Sequence, residues 1–425
     1  MNKTPQNPST TAESTTTKPA GPLAGIRVID LGRVIAAPYA SQMLADYGAE
    51  VIKIERPGVG DDSRSMTAGC LLDDDGNKIL TDTSMFLIGN RSKRSVTVDL
   101  GKPEGQQILH RLAAVSDVLV ENFVPGTVKR WNIDYETLAA INPRLIYVSV
   151  SGWGQTGPYS LRPGYDAALQ AATGFMSVTG QPDGTPGAGP VRLGSSVIDF
   201  AAGMNAAFAI MVALRHRDAT GEGQYIDVAL YDTGIAIQAE NVQKFLMNGD
   251  LVGRHGTSNY GGAPARHFAA SDGDVFFMGA NAGQFTAICD VLGCPELDRD
   301  PRFATSPLRF VHRDALFPVL EPLIAKWKAA DLVDALSKAH VPASVVNNYQ
   351  QVFDDPHTAA RGVEVKLDHP KSKRLKLIAS PMKFSRTPAQ YRRPPMIGEH
   401  TDDVLQELLD MTPGDIAALR AKGAL

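Results

Sequence analysis

Short apolar runs separated by amphipathic stretches organise this chain. GIRVIDL (Gly25 to Leu31) is a strand pattern, the spacing of Ser41, Met43, Leu44 and Tyr47 predicts a helix, and AEVIKIE (Ala49 to Glu55) predicts a second strand. Together they make one βαβ unit. The alternation continues through SVTVDL (Ser95 to Leu100), a helix over Pro103 to Val115, DVLVENF (Asp117 to Phe123), a short helix through Val128 and Trp131, and LIYVSVSG (Leu145 to Gly152). Strands alternating with helices imply a Rossmann-like α/β fold: a mostly parallel sheet with helices on both faces. Ligands in such sheets bind beyond the carboxyl ends of the strands, here Asp30 to Pro38, Glu55 to Gly60, Glu121 to Pro125 and Ser151 to Pro158.

A different pattern follows at Val191 to Leu214. From Phe200 to Leu214 the chain is apolar, rich in small residues and uncharged, which suits a buried core helix with Asp199 as its N-cap. The same carboxylate is a candidate nucleophile, and the two roles are compatible. From about Asn248 to Ala265 the chain turns polar and glycine-rich, then resumes with strand-like DVFFMGA (Asp274 to Ala280) and helices near Phe285 to Leu292 and Leu316 to His340. The expected organisation is a disordered tail over 1–20, a large Rossmann-like domain over 21–235, a linker and smaller α/β domain over 236–355, and an extended return over 356–425 that completes the large domain.

Composition narrows the function classes. With 425 residues, 43% hydrophobic and 21% charged, the chain is ordinary soluble globular material, and its formal charge of −4 offers no general attraction to nucleic acid or an anionic membrane. The run after Asp199 is short against the ~20 residues that a membrane span needs. No secretory leader is read at the start, and Cys70, Cys289 and Cys294 form no metal-ligand pattern, so a cytoplasmic protein with reduced thiols and no metal is expected. The first turn, LGRVIAAP, lacks G-x-G-x-x-G, and neither G-x-x-x-x-G-K-[ST], G-x-S-x-G nor H-E-x-x-H occurs. Nicotinamide, nucleotide-triphosphate, serine-hydrolase and zinc chemistries are therefore disfavoured. Carboxylate nucleophilic catalysis remains.

The phrases GPLAGIRVIDLGRVIAAPYASQMLADYGAEVIKIERPGVGDDSR, NRSKRSVTVDL, VENFVPGTVKRW, NPRLIYVSVSGWGQTGPY, GYDAALQAATGFM, VIDFAAGMNAA and GEHTDDVL occur in one order. In that order the chain resembles the class III CoA-transferases, the family of formyl-CoA and carnitine CoA-transferases. The resemblance implies an interlocked homodimer with no tightly bound cofactor, coenzyme A or acyl-CoA serving as co-substrate and a carboxylic acid as the other substrate. It puts the catalytic aspartate on Asp199, working through an aspartyl anhydride and an aspartyl-CoA thioester. Coenzyme A would be met by Val34, Ile35, Ala36, Arg56, Val98, Asp99, Leu100, Asn122, Phe123 and Arg130. Asn259, Tyr260, Gly261 and Gly262 match a glycine-rich loop over the active site, with two of its glycines kept.

Ile35 stands where formyl-CoA transferase has a glutamine, which points to an acid larger than formate or oxalate. Family members that racemise 2-methylacyl-CoA carry a histidine at the position of Tyr165, paired with the equivalent of Asp166. A phenol titrating near ~10 suits that role poorly, so transfer is favoured over racemisation, and a binding-only relic is disfavoured by the retained Asp199. The overall phrasing is most similar to enzymes that take succinyl-CoA as donor and a dicarboxylate or hydroxydicarboxylate as acceptor. A distal carboxylate needs a cation, for which Arg64, Arg192, Arg254, Arg266 and His267 are candidates.

Overall fold

The structure is a computed structural model that describes residues 21–66, 69–259 and 261–425, so the tail expected over 1–20 lies outside the described residues. The chain divides into two compact units. One comprises residues up to Gly164, 198–233 and 364–425; the other comprises 165–197 and 234–363. Residues 165–197 fall inside the 21–235 span expected for the larger domain, yet they go with the second unit.

In the first unit the strands are β1 (Arg27–Asp30), β2 (Glu50–Glu55), the hairpin pair β3 (Cys70–Leu72) and β4 (Lys78–Thr83), β5 (Lys93–Thr97), β6 (Val118–Glu121), β7 (Ile146–Ser151) and β8 (Tyr225–Ala229). Six pair in the order β5-β2-β1-β6-β7-β8, every neighbour parallel. Parallel pairing requires crossovers, and helices Ala36–Ala45 between β1 and β2 and Pro103–Ala114 between β5 and β6 supply two of them. The chain winds outward from β1 to β5 and then returns to lay β6 against β1. That reversal opens a crevice at the carboxyl ends of β1 and β6.

One core cluster joins Ile29, Ile52, Val96, Leu119 and Tyr147 of the sheet to Leu109 and Leu112 of helix Pro103–Ala114 and to Val404 and Leu405 of helix Thr401–Leu409. Each such side chain, fully buried, contributes about 1.5–3 kcal/mol. The C-terminal segment is thus part of the first unit's core.

Three local readings of the sequence are corrected. The strand expected at Ser95 to Leu100 begins at Lys93 and ends at Thr97: Lys93 and Arg94 read as polar, but Lys93 is buried against Asp30, and beyond Val98 the backbone leaves the sheet, Asp99 N–H donating to Ala424 O at 2.9 Å. The apolar helix expected from Phe200 spans Val197–Thr220, 24 residues. It is the one helix among the described residues long and apolar enough to cross a membrane, so its length gives no argument against a span. Its buried face carries Ile198, Ala202, Ala206, Ile210 and Leu214, and Arg217 pairs with Asp117 at 2.7 Å.

The second unit is built separately on an antiparallel sheet, β11-β10-β9, from β9 (Ala265–Ala269), β10 (Asp274–Met278) and β11 (Ala343–Val345). Phe268 and Phe277 stack at 4.7 Å in its core against Phe285 and Leu320. The helical stretch at 316–340 is two helices, Arg313–Ile324 and Ala329–Lys338. The pair β12 (Glu364–Lys366) and β13 (Lys376–Ile378) then belongs to the first unit.

Candidate active site

A cavity of about 450 Å³ occupies the crevice at the strand reversal. Its walls are Gly32 and Arg33 after β1, Lys53 to Arg56 at the end of β2, Val98 to Gly101 after β5, and Phe123, Thr127 and Trp131 after β6. The volume suits a small-molecule site. Of the residues expected to meet coenzyme A, Arg56, Val98, Asp99, Leu100 and Phe123 line it.

Val34, Ile35, Ala36, Asn122 and Arg130 do not line it, although three of them touch residues that do. Asn122 Nδ2 donates to Arg33 O, and Asn122 Oδ1 accepts the Arg33 N–H, both at 2.8 Å. Arg130 Nη2 donates to Thr127 Oγ1 at 3.1 Å. The Val34 N–H donates to Asp61 Oδ1 at 3.1 Å.

The cations at the cavity differ in availability. Lys53 is fully buried and lies 2.8 Å from Asp61 Oδ2, a charge contact, while donating to Gly32 O at 2.7 Å. Arg33 pairs with Asp62 at 2.9 Å and lies 4.8 Å over the Phe123 ring. Arg56 is exposed and has no ion pair among the described residues. It is the lining cation with capacity left for an anionic ligand.

Beneath the cavity is a buried ionic floor. Lys93 Nζ lies 2.6 Å from Asp30 Oδ2, and Arg64 forks onto Glu55 with Nε to Oε2 at 2.7 Å and Nη2 to Oε1 at 2.8 Å. Burial pushes the Asp61 carboxyl up, but the Lys53 charge and donation from Ser63 outweigh it and hold the group at about 2. Burial and the neighbouring Lys53 charge bring Lys93 down to about 8 despite Asp30. Lys53, Glu55, Asp61 and Arg64 were not singled out as a group by sequence reasoning. The signal was available: Lys53 and Glu55 are charges two residues apart in a buried strand, hence on one face, and such charges must be paired.

Asp199 is the third residue of helix Val197–Thr220, so it lies inside the first turn and is not the N-cap. Its position is still at the positive end of the helix dipole, which favours the ionised carboxylate. It is half-buried. Gly203, four residues on, shares its face, and there the helix meets the start of helix Ala36–Ala45: a Cβ at Gly203 would come within 2.7 Å of Ala36 O. Tyr39 and Phe200 meet edge to face at 5.0 Å beside this contact. The structure therefore sets Ala36 and Tyr39 against the helix that carries Asp199.

In the second unit Asp166 opens helix Asp166–Ala172 and is buried, accepting from Gln170 Nε2 at 2.6 Å. Gln170 Oε1 in turn accepts the Leu193 N–H at 2.9 Å, so Asp166 is tied to the segment that runs into Asp199's helix. Tyr165 is 69% exposed. In the loop, Asn259 N–H donates to Ala265 O at 2.8 Å and Gly261 has φ of 87°; Tyr260 lies outside the described residues. Among the candidate cations, Arg64 is buried against Glu55, Arg254 pairs with Asp183, Arg266 lies 3.6 Å from Glu321, and His267 contacts Thr257 Oγ1. Arg192 is exposed and has no partner among the described residues.

The geometry defines a class first: a doubly wound α/β protein with a cavity at its switch point and a carboxylate on the first turn of a helix packed against helix Ala36–Ala45. A family model described as CoA-transferase family III matches residues 23–401, and the chain belongs to that family. It is 39% identical to the succinate–glutarate CoA-transferase of Agrobacterium fabrum over 91% of this chain and 96% of that one. It is 34% identical to the succinyl-CoA–D-citramalate CoA-transferase of Chloroflexus aurantiacus over 95% of this chain and 98% of that one. Among solved structures, a CaiB/BaiF family protein from Brucella suis superposes with a TM-score of 0.81 at 38% identity, covering 91% of this chain and 99% of that chain.

Proposed function

We propose that this CoA-transferase moves coenzyme A from succinyl-CoA to a dicarboxylic or hydroxydicarboxylic acid, with Asp199 as nucleophile. The observation that carries the reading is the pairing of a switch-point cavity holding an uncommitted Arg56 with a first-turn Asp199 whose helix abuts Ala36. The names of the relatives support the donor and the acceptor class.

In this reading Asp199 attacks the thioester carbonyl, the C–S bond breaks and CoA thiolate leaves, giving a mixed anhydride. The thiolate returns to the aspartyl carbonyl and expels succinate, leaving an aspartyl-CoA thioester. The acceptor carboxylate attacks that thioester to form a new anhydride and thiolate. The thiolate then attacks the acceptor's acyl carbon and frees Asp199. Backbone N–H groups of the first turn face the developing oxyanions, and no tightly bound cofactor is required.

Coenzyme A occupies the cavity, its phosphates met by Arg56 and Arg130 and its other parts by Val34 to Ala36, Val98 to Leu100, Asn122 and Phe123. Asp166, Tyr165 and the loop Asn259 to Gly262 serve the acyl end, and Arg192 is the candidate cation for a distal carboxylate. The enzyme works as an interlocked homodimer in the cytoplasm. Exposed apolar side chains on both units, Phe208 and Val212 on one and Leu246 and Met247 on the other, support burial by a second copy.

The test is exchange of labelled CoA from succinyl-CoA to glutarate, citramalate and itaconate, read by mass spectrometry, with hydroxylamine trapping. Asp199→Ala should lower turnover by roughly 10⁴-fold or more and abolish the hydroxamate at residue 199. Turnover retained in that variant would remove the nucleophile assignment.

A further inference from the structure

The turn Gly32-Arg33-Val34 leads from β1 into helix Ala36–Ala45 in a conformation its residues do not prefer. Val34 is β-branched yet has φ of 66°, in the left-handed region. Such a residue stays there only when its surroundings over-determine it. Gly32 N–H donates to Asp30 Oδ1 at 2.8 Å, Gly32 O accepts from Lys53 Nζ at 2.7 Å, and Arg33 is held through both backbone groups by Asn122 at 2.8 Å. The strained residue itself is held by Asp61, whose Oδ1 accepts the Val34 N–H at 3.1 Å.

Asp61 is in turn fixed from several sides. Its own N–H donates to Glu55 Oε2 at 2.9 Å, Ser63 donates N–H and Oγ–H to Oδ1 at 2.8 Å each, and Lys53 Nζ lies 2.8 Å from Oδ2. Gly32, Arg33 and Asp61 all line the cavity. A carboxylate that is 3% exposed, clamped by a lysine and spending one oxygen on a strained amide, is placed to set the shape of that wall.

We propose that Asp61 is a positioning residue for coenzyme A: it holds the Val34 amide and thereby fixes the left-handed turn whose Gly32 and Arg33 wall the cavity, so that the site is shaped before its ligand arrives. This rests on the reading that coenzyme A occupies the cavity. Relaxation of Val34 to negative φ would rotate the chain before it, displacing Arg33 from Phe123. A site that must first order its own wall binds more weakly.

The test measures CoA affinity by calorimetry and the steady-state constants for succinyl-CoA. Asp61→Ala should raise KM and the CoA Kd about tenfold with kcat within about twofold: loss of the Ser63 and Lys53 contacts lowers stability, and release of the Val34 amide lowers affinity. Asp61→Asn keeps an acceptor for the Val34 amide and should stay within about threefold of wild type. Adding Val34→Gly to Asp61→Ala should recover most of the affinity, because glycine adopts this φ without steric cost.

Equal affinity in Asp61→Ala, or no recovery in the double variant, overturns the positioning role. If Asp61→Ala does not fold, amide exchange at Val34 in the intact protein decides: slow exchange without CoA supports the role, and fast exchange that slows only on adding CoA overturns it. A wild-type protein that binds no CoA, or whose affinity ignores Arg56→Ala, overturns the cavity assignment and the proposal with it. Wild-type binding that weakens in Arg56→Ala but not in Asp61→Ala overturns the proposal alone.

Discussion

On the β5-β2-β1 side of the central sheet, Asp61 is buried within 2.8 Å of Lys53, and Asp30 lies 2.6 Å from Lys93. On the β6-β7 side, Glu121 is buried at the end of β6 with the Ser149 hydroxyl and the Phe123 N–H at 2.7 Å as its donors and no cation paired with it among the described residues. Burial is opposed by charge in the first case, and the Asp61 carboxyl falls to about 2. In the second, burial dominates the two donors, Asp227 adds its repulsion, and Glu121 is pushed up to about 7. Two buried carboxylates, one in the loop after β2 and one at the end of β6, thus meet a desolvation cost by pairing in one case and by partial protonation in the other.

The largest effect that sharpens this contrast is expected from Lys53→Met. It leaves Asp61 buried without its cation and removes the donor to Gly32 O, a loss of about 3–5 kcal/mol for one broken buried pair. The shift in urea midpoint at pH 7 measures it. A loss below about 1 kcal/mol would mean that the floor is hydrated and that pairing is not what keeps Asp61 ionised.

Glu121→Gln tests the other side and should depend on pH in the opposite sense to the Asp61 site. A carboxyl whose folded pKa is raised from 4.5 to about 7 contributes stability that is present below 4.5 and lost as pH rises through 7. Asp61, lowered from 3.8 to about 2, contributes stability present above 3.8 and lost as pH falls through 2. The amide does not ionise, and Ser149 can reverse its hydroxyl to accept from it. The variant should therefore match wild type near pH 4.5 and be more stable at pH 8 by on the order of 3 kcal/mol. Urea midpoints at both pH values decide it, and an equal difference at the two would break the comparison.

The same contrast explains what the sequence disclosed. Apolar runs such as GIRVIDL and LIYVSVSG mark strands buried on both faces, and β1, β2, β6 and β7 appear where those runs stand. β8 was not anticipated because YIDVA lies at the sheet edge with Tyr225 and Asp227 exposed, so half its positions read as loop. The start of Asp199's helix was misplaced by three residues because an aspartate serves equally as a cap and in the first turn. Around the cavity, family phrases pointed to Arg56, Val98 to Leu100 and Phe123. Lys53, Asp61 and the strain at Val34 depend on what faces them across the sheet end, which one-dimensional spacing does not encode.

The smallest expected effect separates burial from charge. Arg33 and Asp62 form an ion pair at 2.9 Å, as short as many on the floor, but their side chains are 44% and 46% exposed. Solvent screens such a pair, and holding two long side chains in register costs entropy, so its contribution lies below about 1 kcal/mol. Asp62→Asn should shift the urea midpoint by less than that, and the shift should shrink further in about 0.5 M salt, where the Debye length falls to a few ångströms. Lys53→Met, at a fully buried pair on the same side of the sheet, should be insensitive to that salt. If Asp62→Asn proved as costly as Lys53→Met, distance alone would set the energy of these pairs, and the burial that divides Asp61 from Glu121 would no longer account for their opposite titration.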